Sequence, residues 1–123
     1  MFRLDKRKIF LLYRYYLLDN VTKIENEYDE ERIIWLNKFN TKKKYLEERI
    51  GVNLKRTFTF SCLPPLEKAI LTYSGYEMLF NQNFGYERMI IDQTINFSKA
   101  YLEEEKYKYI NKVLDLLLNK KKL

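Results

Sequence analysis

The chain lacks histidine entirely and has one cysteine, Cys62, among its 123 residues. Histidine is the commonest general base and metal ligand, so its absence argues against catalysis and metal binding. A single cysteine cannot form an internal disulfide or a cysteine-based zinc site, and it fits a reducing compartment. The sequence also has no GxxxxGK[ST] phosphate loop, no GxGxxG and no CxxC pair. We therefore predict a protein that is not an enzyme and uses no cofactor or metal.

Glycine and proline are scarce, and there is no long uncharged run. Three glycines and two prolines leave little material for a turn-rich β protein. No uncharged stretch approaches the roughly 20 residues that span a bilayer. Charged residues also interrupt the apolar segment 2–18, and we identify no secretory signal. The sequence therefore predicts a cytoplasmic protein.

The chain does contain apolar material for a folded domain and an excess of positive charge. Hydrophobic residues make up 46% and aromatic residues 16% of the sequence, which is not the composition of a disordered chain. The length fits one domain, 1–123. The formal net charge of +6 favours an anionic partner, and charge alone leaves RNA, DNA and acidic lipid open.

Apolar residues recur at helical spacing along nearly the whole chain. A first helix, closed by Asn20, has a core face formed by Ile9, Leu12, Tyr13, Tyr16 and Leu17. A second helix begins near Thr22, which has capping-box spacing with Glu25. Its apolar contacts are Ile33, Ile34, Leu36 and Phe39.

A third helix is predicted from Asn40 or Thr41 to Gly51, where glycine suits a helix C-terminus. Residues 53–62 read as a short helix or a connector, and the proline pair 64–65 marks a boundary. Three more helices follow at about 66–80, 89–101 and 104–118, with a turn at 81–86. The sequence thus predicts an all-α bundle of about six helices in two three-helix halves, roughly 1–63 and 64–123.

A basic stripe runs along the first predicted helix. On a helical wheel, Arg3, Arg7, Phe10 and Arg14 fall in one narrow sector, offset from the core face. Arginines can contact phosphates while a ring stacks on a base, so this pattern is typical of a nucleic-acid contact. An ordinary solvated helix face is the alternative interpretation.

Rings and amines also alternate around the start of the last predicted helix. Tyr101, Tyr107 and Tyr109 stand there among lysines, and RNA recognition often stacks splayed bases on aromatic planes. Tyr107 shares a core stripe with Ile110, Leu114 and Leu117, so we expect it to pack. Tyr109 points elsewhere and is the better stacking candidate.

Glu77 lies in register with Leu66, Ile70 and Tyr73 on the apolar face of its helix. A buried carboxylate needs hydrogen bonds or a cation. Catalysis is one interpretation, but no second acid or metal-ligand set converges with it by spacing. We therefore expect a structural brace between helices.

Four segments have a familiar order and spacing: 66–71 (LEKAIL), 76–78 (YEM), 91–95 (IDQTI) and 108–115 (KYINKVLD). Together they resemble the C-terminal half of the NusB family of bacterial transcription antitermination factors. In the N-terminal half, Lys6-Arg7-Lys8 followed by Leu11, Leu12 and Tyr13 resembles that family's basic start. The resemblance implies an all-helical NusB-like domain of two three-helix halves without catalytic activity.

The resemblance also implies partners. NusB pairs with NusE, a small-subunit ribosomal protein, and the pair binds the boxA element of nascent RNA in ribosomal RNA operons. Contact with the RNA polymerase elongation complex would be indirect, no membrane would be involved, and relatives occur as monomers and homodimers.

Carried onto this chain, the stripe and the resemblance give two sets of site residues. The predicted RNA-binding residues are Arg3, Lys6, Arg7, Phe10, Tyr13, Arg14, Lys108 and Tyr109. The predicted partner-binding residues are Glu67, Tyr101 and Glu105.

Two features of the sequence leave a second function open. Thr72 stands where relatives commonly carry arginine, and the basic arm is short, with Asp5 inside it. These features favour a NusB-fold interaction or assembly module that has lost specific RNA binding.

Overall fold

The computed structural model describes residues 1–18, 29–55 and 59–121, and this part of the chain contains helices and no strand. The helices are α1 (Lys6–Leu17), α2 (Glu30–Gly51), α3 (Pro65–Leu79), α4 (Glu87–Lys99) and α5 (Glu104–Lys121). A 3₁₀ turn at Phe60–Cys62 precedes the proline pair. The all-α prediction is confirmed, with five α-helices in the described residues instead of about six.

The difference in number comes from α2, which runs without a break through the predicted boundary at Asn40 and Thr41. The Thr41 hydroxyl donates to the Lys38 carbonyl at 2.6 Å, a bond within the helix that replaces the expected cap. The observed N-cap is Asp29, whose carboxylate accepts from the Arg32 amide at 2.9 Å. The predicted helix ends at Asn20 and Thr22 lie outside the described residues.

The inward face of α2 differs in one respect from the expectation. Leu36 and Phe39 are buried as predicted, and Ile33 is half-buried. Ile34 is 47% exposed, so its predicted core position was wrong. The neighbouring Trp35 is buried instead and stacks on Phe39, with ring centres 5.3 Å apart.

The centre of the fold is α3, which packs against α1, α2, α4 and α5. Every residue from 69 to 78 is therefore buried, whatever its polarity. The helix begins at Pro65, where a missing amide hydrogen costs nothing. At Gly75 an added Cβ would lie 3.4 Å from Leu46 Cδ2, which is van der Waals contact, so the side chain of Leu46 from α2 packs directly over this position.

The turn predicted at 81–86 is confirmed, with left-handed backbone at Gln82 (φ 53) and Gly85 (φ 91). It reverses the chain into α4, and α5 then returns alongside α4. An ion pair of 2.8 Å joins Arg88 near the start of α4 to Asp115 in the second half of α5. The two helices are thus antiparallel, with the corner at Tyr101 at the opposite end. No helix in the described part of the chain combines the length and apolarity needed to cross a membrane.

Candidate nucleic-acid interface

The predicted cations of α1 and of the segment before it are exposed. Arg3, Lys6, Arg7 and Arg14 all lie at the surface. Phe10 is half-buried, and its ring meets the rings of Phe97 and Tyr101 edge-on, at 5.8 Å in each case. The stripe therefore presents charge to solvent, whereas its aromatic member packs against α4. Tyr13 is likewise half-buried against the apolar core.

The segment before α1 is held in place by two distant polar side chains. The Gln93 amide oxygen accepts from the Leu4 amide at 2.8 Å, and its amide nitrogen donates to the Phe2 carbonyl at 3.1 Å. The Tyr73 hydroxyl accepts from the Asp5 amide at 2.9 Å. Arg3 is thus carried on a backbone fixed to α3 and α4, a positioning that sequence reasoning missed.

A recess of about 350 Å³ beside this segment contains a cation that was not predicted. Its walls include Arg3, Lys6, Arg7 and Arg32. The Arg32 guanidinium comes from α2 and lies 3.1 Å from the Asp5 carboxylate, so it offsets the acid inside the basic arm. The pairing spans 27 residues, and no local pattern in the sequence indicates it.

A second depression, which we call the α5 cleft, lies between the first turns of α5 and the connection from α2 to α3. Its volume is about 570 Å³. It brings together four predicted site residues: Glu67, Glu105, Lys108 and Tyr109. Lys106, one of the lysines among the predicted rings, also lines it. Sequence reasoning missed other walls, which include Lys55, Leu63, Pro64 and Lys112.

Tyr109 connects α5 to the far side of the cleft. Its hydroxyl accepts from the Lys55 amide at 2.9 Å, and the Lys55 ammonium lies 5.5 Å from its ring centre. The ring is half-buried and contacts the apolar core, so Tyr109 both packs and lines the cleft. Tyr107 is half-buried but outside that core, with the Lys99 ammonium 5.7 Å from its ring, so its predicted core role was wrong.

Glu67 is the one buried acid among the cleft walls, with 7% of its surface exposed. Its carboxylate makes no hydrogen bond or ion pair with any residue that the structure describes. Burial raises the pKa of this carboxyl, while the nearby Lys106 charge lowers it in part. Glu67 is therefore a carboxylate in the first turn of α3 that is largely covered by protein and lines one wall of the cleft.

An ion pair lies at the exposed end of the cleft. Lys108 lies 2.5 Å from Glu104 one turn earlier, and both side chains are largely exposed. This hydrogen bond raises the pKa of Lys108 and lowers the pKa of Glu104. Because solvent screens the pair, it holds Lys108 only weakly, and the amine stays available to an anion.

Tyr101 lies where the α1 face and the α5 cleft meet. It is 51% exposed, and its ring contacts Phe10 of α1 and Phe97 of α4, at 5.8 and 4.9 Å. Glu103, two residues later, already lines the cleft. Two residues span about 7 Å at most, so the basic face and the cleft are neighbours at this corner.

Glu77 is confirmed as a brace between helices. It is 3% exposed, and its carboxylate accepts from Trp35 Nε1 of α2 at 3.2 Å. Asn81 and Asn83 in the following turn also donate to it. Burial still raises the pKa of this carboxyl, although these hydrogen bonds and the Lys8 charge act in the other direction.

The fold and these surfaces define a basic all-helical protein whose charged face adjoins a cleft of mixed charge. The model of the NusB family matches residues 35–119, and this chain belongs to the NusB family. No solved structure shows a significant match to this chain.

Three curated relatives are each named Transcription antitermination protein NusB. The protein of Shewanella loihica is 31% identical over 113 residues, which cover 84% of this chain and 82% of the relative. The Shewanella sediminis protein is 26% identical over the same shares of the two chains. A Shewanella baltica protein is 35% identical over 81 residues, 66% of this chain and 58% of the relative.

Proposed function

We propose that this chain is a transcription antitermination factor that binds boxA-type RNA together with NusE and acts on ribosomal RNA operons. Membership of the NusB family supports the antitermination role. The observation that carries the RNA-binding role is the corner at Tyr101, where an exposed basic face and a lysine-lined cleft adjoin. A single strand of RNA can follow both surfaces.

The mechanism begins with electrostatic capture of the RNA backbone. Arg3 in the segment before α1 and three cations of α1, Lys6, Arg7 and Arg14, are exposed. In this mechanism they contact phosphates, which position the strand without reading its sequence. The strand then passes Tyr101 and enters the α5 cleft. There Tyr109 offers a ring for stacking and Lys108 offers an amine for a phosphate.

NusE completes the binding surface, and contact with the RNA polymerase elongation complex is indirect. Tyr101 and Glu105 are both exposed beside the cleft, so they are accessible to a protein partner. In this scheme the partner raises RNA affinity because the strand contacts both proteins at once. The active unit is a monomer or a homodimer, which analytical ultracentrifugation with and without NusE distinguishes.

The test is a binding titration with labelled boxA-type RNA at low salt, with and without NusE, against a scrambled RNA of the same composition. We expect binding that NusE strengthens and that prefers boxA. Absence of binding in both titrations would reject the proposal. Equal binding to the scrambled RNA would restrict it to non-specific RNA binding.

A second candidate is a NusB-fold interaction or assembly module without specific RNA binding. It is favoured by Thr72, which is fully buried and donates its hydroxyl to the Lys68 carbonyl at 2.8 Å. No cation is therefore present where relatives commonly carry arginine. Affinity capture of partners before and after nuclease treatment separates the two functions, because the module keeps its partners without RNA.

A further inference from the structure

Three large apolar side chains are exposed along the outer face of α2 and its C-cap. Ile34, Tyr45 and Val52 are 47%, 49% and 64% exposed. At 100° per residue they fall, together with Thr41, in a sector of about 40° on the helical wheel. We call these four residues the outer α2 stripe. The buried residues of α2 lie on the opposite side and pack towards α3. In the described part of the chain, α2 thus buries one apolar face and leaves a second one exposed.

The outer α2 stripe has the length and the spacing of a surface on which another helix packs. Its ends are 18 positions apart, or about 27 Å along a helix. Its steps of seven, four and seven residues are those of the heptad positions along which two helices meet. The Tyr45 ring meets the Phe80 ring edge-on at 5.6 Å, so α3 holds the centre of the stripe in place. Singly exposed apolar residues are ordinary, whereas a row of them in helical register is typical of a docking surface.

The charge beside the stripe indicates what kind of helix fits it. Three exposed lysines flank it, namely Lys38, Lys42 and Lys44. Glu48 is the one exposed acid between residues 32 and 52. None of the three lysines forms an ion pair with a residue that the structure describes, whereas Lys43 pairs with Glu47 at 3.1 Å. The surroundings of the stripe therefore carry uncompensated positive charge, which favours an acidic partner.

The aliphatic members of the stripe favour a protein over a nucleic acid. Ile34 and Val52 offer no ring on which a base could stack, and phosphates would contact the lysines without them. A second copy of this chain would bring the same lysines against one another, which lowers affinity. An acidic amphipathic helix satisfies both features, because its apolar face covers the stripe while its carboxylates reach the lysines.

We propose that the outer α2 stripe is a docking surface for an acidic amphipathic helix of a further protein partner. The stripe shares no residue with the α1 face or the α5 cleft, so this partner is additional to RNA and NusE. Tyr45 is the central anchor, because buried aromatic side chains near the centre of an interface contribute most to affinity. Ile34 and Val52 contact the two ends of the partner helix, and the lysines pair with its acids.

The experiment uses the full chain and two labelled synthetic peptides of three heptads, with leucine at the a and d positions. One peptide carries glutamate at the e and g positions, and the other carries lysine there. Fluorescence anisotropy measures binding, and we expect the chain to bind the glutamate peptide and not the lysine peptide. Tyr45→Ala should weaken that binding about tenfold or more, as truncation of a central anchor does. Tyr86→Ala removes a tyrosine of similar exposure outside the stripe and should leave the affinity unchanged.

Reversing the charge beside the stripe tests the electrostatic part of the proposal. Lys38→Glu should weaken binding of the glutamate peptide, and Lys99→Glu, the same change at an exposed position of α4, should not. The double variant of Lys38→Glu and Lys44→Glu should bind the lysine peptide more tightly than the parent protein does, because the attraction changes sign. A variant that failed to fold could not gain a ligand in this way.

Failure of the glutamate peptide to bind, or equal affinity for the two peptides, would overturn the docking surface. So would binding that Tyr45→Ala leaves unchanged. If Tyr45→Ala dissociates a dimer of the protein alone in analytical ultracentrifugation, a second copy covers the stripe and the proposal is wrong. If Lys38→Glu weakens RNA binding as strongly as Arg7→Glu, the surface belongs to RNA. The peptide titrations do not depend on boxA, so the docking surface and the proposed function can fail separately.

Discussion

The indole nitrogen of Trp35 donates a 3.2 Å hydrogen bond to the Glu77 carboxylate, 42 residues further along the chain, and thereby joins α2 to α3. Asn83 donates to the same carboxylate at 2.9 Å from the turn after α3. Three elements thus share one buried acceptor, which has a structural role.

Glu77→Ala should destabilise the protein by about 2–4 kcal/mol, because several buried donors lose their common acceptor. Urea unfolding measures this loss. Glu48→Ala, on the exposed side of α2, is the control and should change stability by no more than about 0.5 kcal/mol. If Glu77→Ala lost no more stability than Glu48→Ala, Glu77 would not be a structural brace between helices.

Gln93→Ala should release the segment before α1. The two hydrogen bonds to Phe2 and Leu4 together contribute about 1–3 kcal/mol of local stability. Hydrogen exchange of the Leu4 amide should therefore accelerate, with weaker RNA binding because Arg3 is less well positioned. Asn96→Ala, exposed on the same helix, should leave that exchange rate unchanged. Unaltered protection of Leu4 in the Gln93 variant would show that other contacts hold the segment.

Arg7→Glu should weaken RNA binding and flatten its salt dependence. Each phosphate contact on single-stranded nucleic acid contributes about 0.7 to the slope of log affinity against log salt. Titrations at several salt concentrations measure that slope. Lys44→Glu gives the same change in net charge at an exposed position of α2 and should have little effect. If both variants lost the same RNA affinity, α1 would not be part of the RNA-binding surface.

Tyr109→Phe and Tyr109→Ala separate two roles of this residue. The Phe variant keeps the ring but loses the acceptor for the Lys55 amide, so stability should fall by about 1 kcal/mol while RNA affinity persists. The Ala variant also loses the ring, and RNA binding should weaken by about 1–3 kcal/mol if a base stacks there. Should both variants bind RNA like the parent protein, the ring takes no part in binding.

Glu67→Gln should raise the stability of the free protein at neutral pH. Burial raises the pKa of Glu67 above its usual 4.5, so the folded chain binds this proton more tightly than the unfolded chain. The stabilising effect of the raised pKa is present below pH 4.5 and is lost as pH rises through the folded-state value. Ionisation at neutral pH therefore opposes folding in the parent protein and not in the glutamine variant.

Urea unfolding at neutral and acidic pH measures this difference. The advantage of Glu67→Gln should shrink on acidification, and Glu105→Gln serves as the control for loss of a surface charge. An advantage that is constant with pH, or that grows in acid, would contradict a desolvated Glu67.

Helical periodicity predicted α1, α3, α4 and α5 to within a few residues, because the apolar faces of these helices are properties of contiguous sequence. The predicted break in α2 failed for a tertiary reason. Asn40 and Thr41 favour helix ends locally, yet Phe39 and Leu46 on either side are buried, which keeps the helix continuous.

The candidate site was predicted in part. The basic face of α1 follows from spacing alone, and the resemblance to NusB indicated Glu67, Glu105, Lys108 and Tyr109, which meet in one cleft. Their roles in binding stay predictions. Lys55 and Lys112 were missed because a lysine that lines a cleft has the same local sequence pattern as a lysine on an ordinary surface.

The sequence by itself determined the helical class, the start of α3 at the proline pair and the burial of Glu77, since each depends on residues within a few turns. Only the tertiary structure decided that Gln93 fixes the residues before α1, 89 positions away, and that Glu67 is buried without a hydrogen bond to any residue that the structure describes. The physical reason is that a helical pattern specifies which face turns inward. Which distant donor, acceptor or charge that face meets depends on how the helices pack around α3.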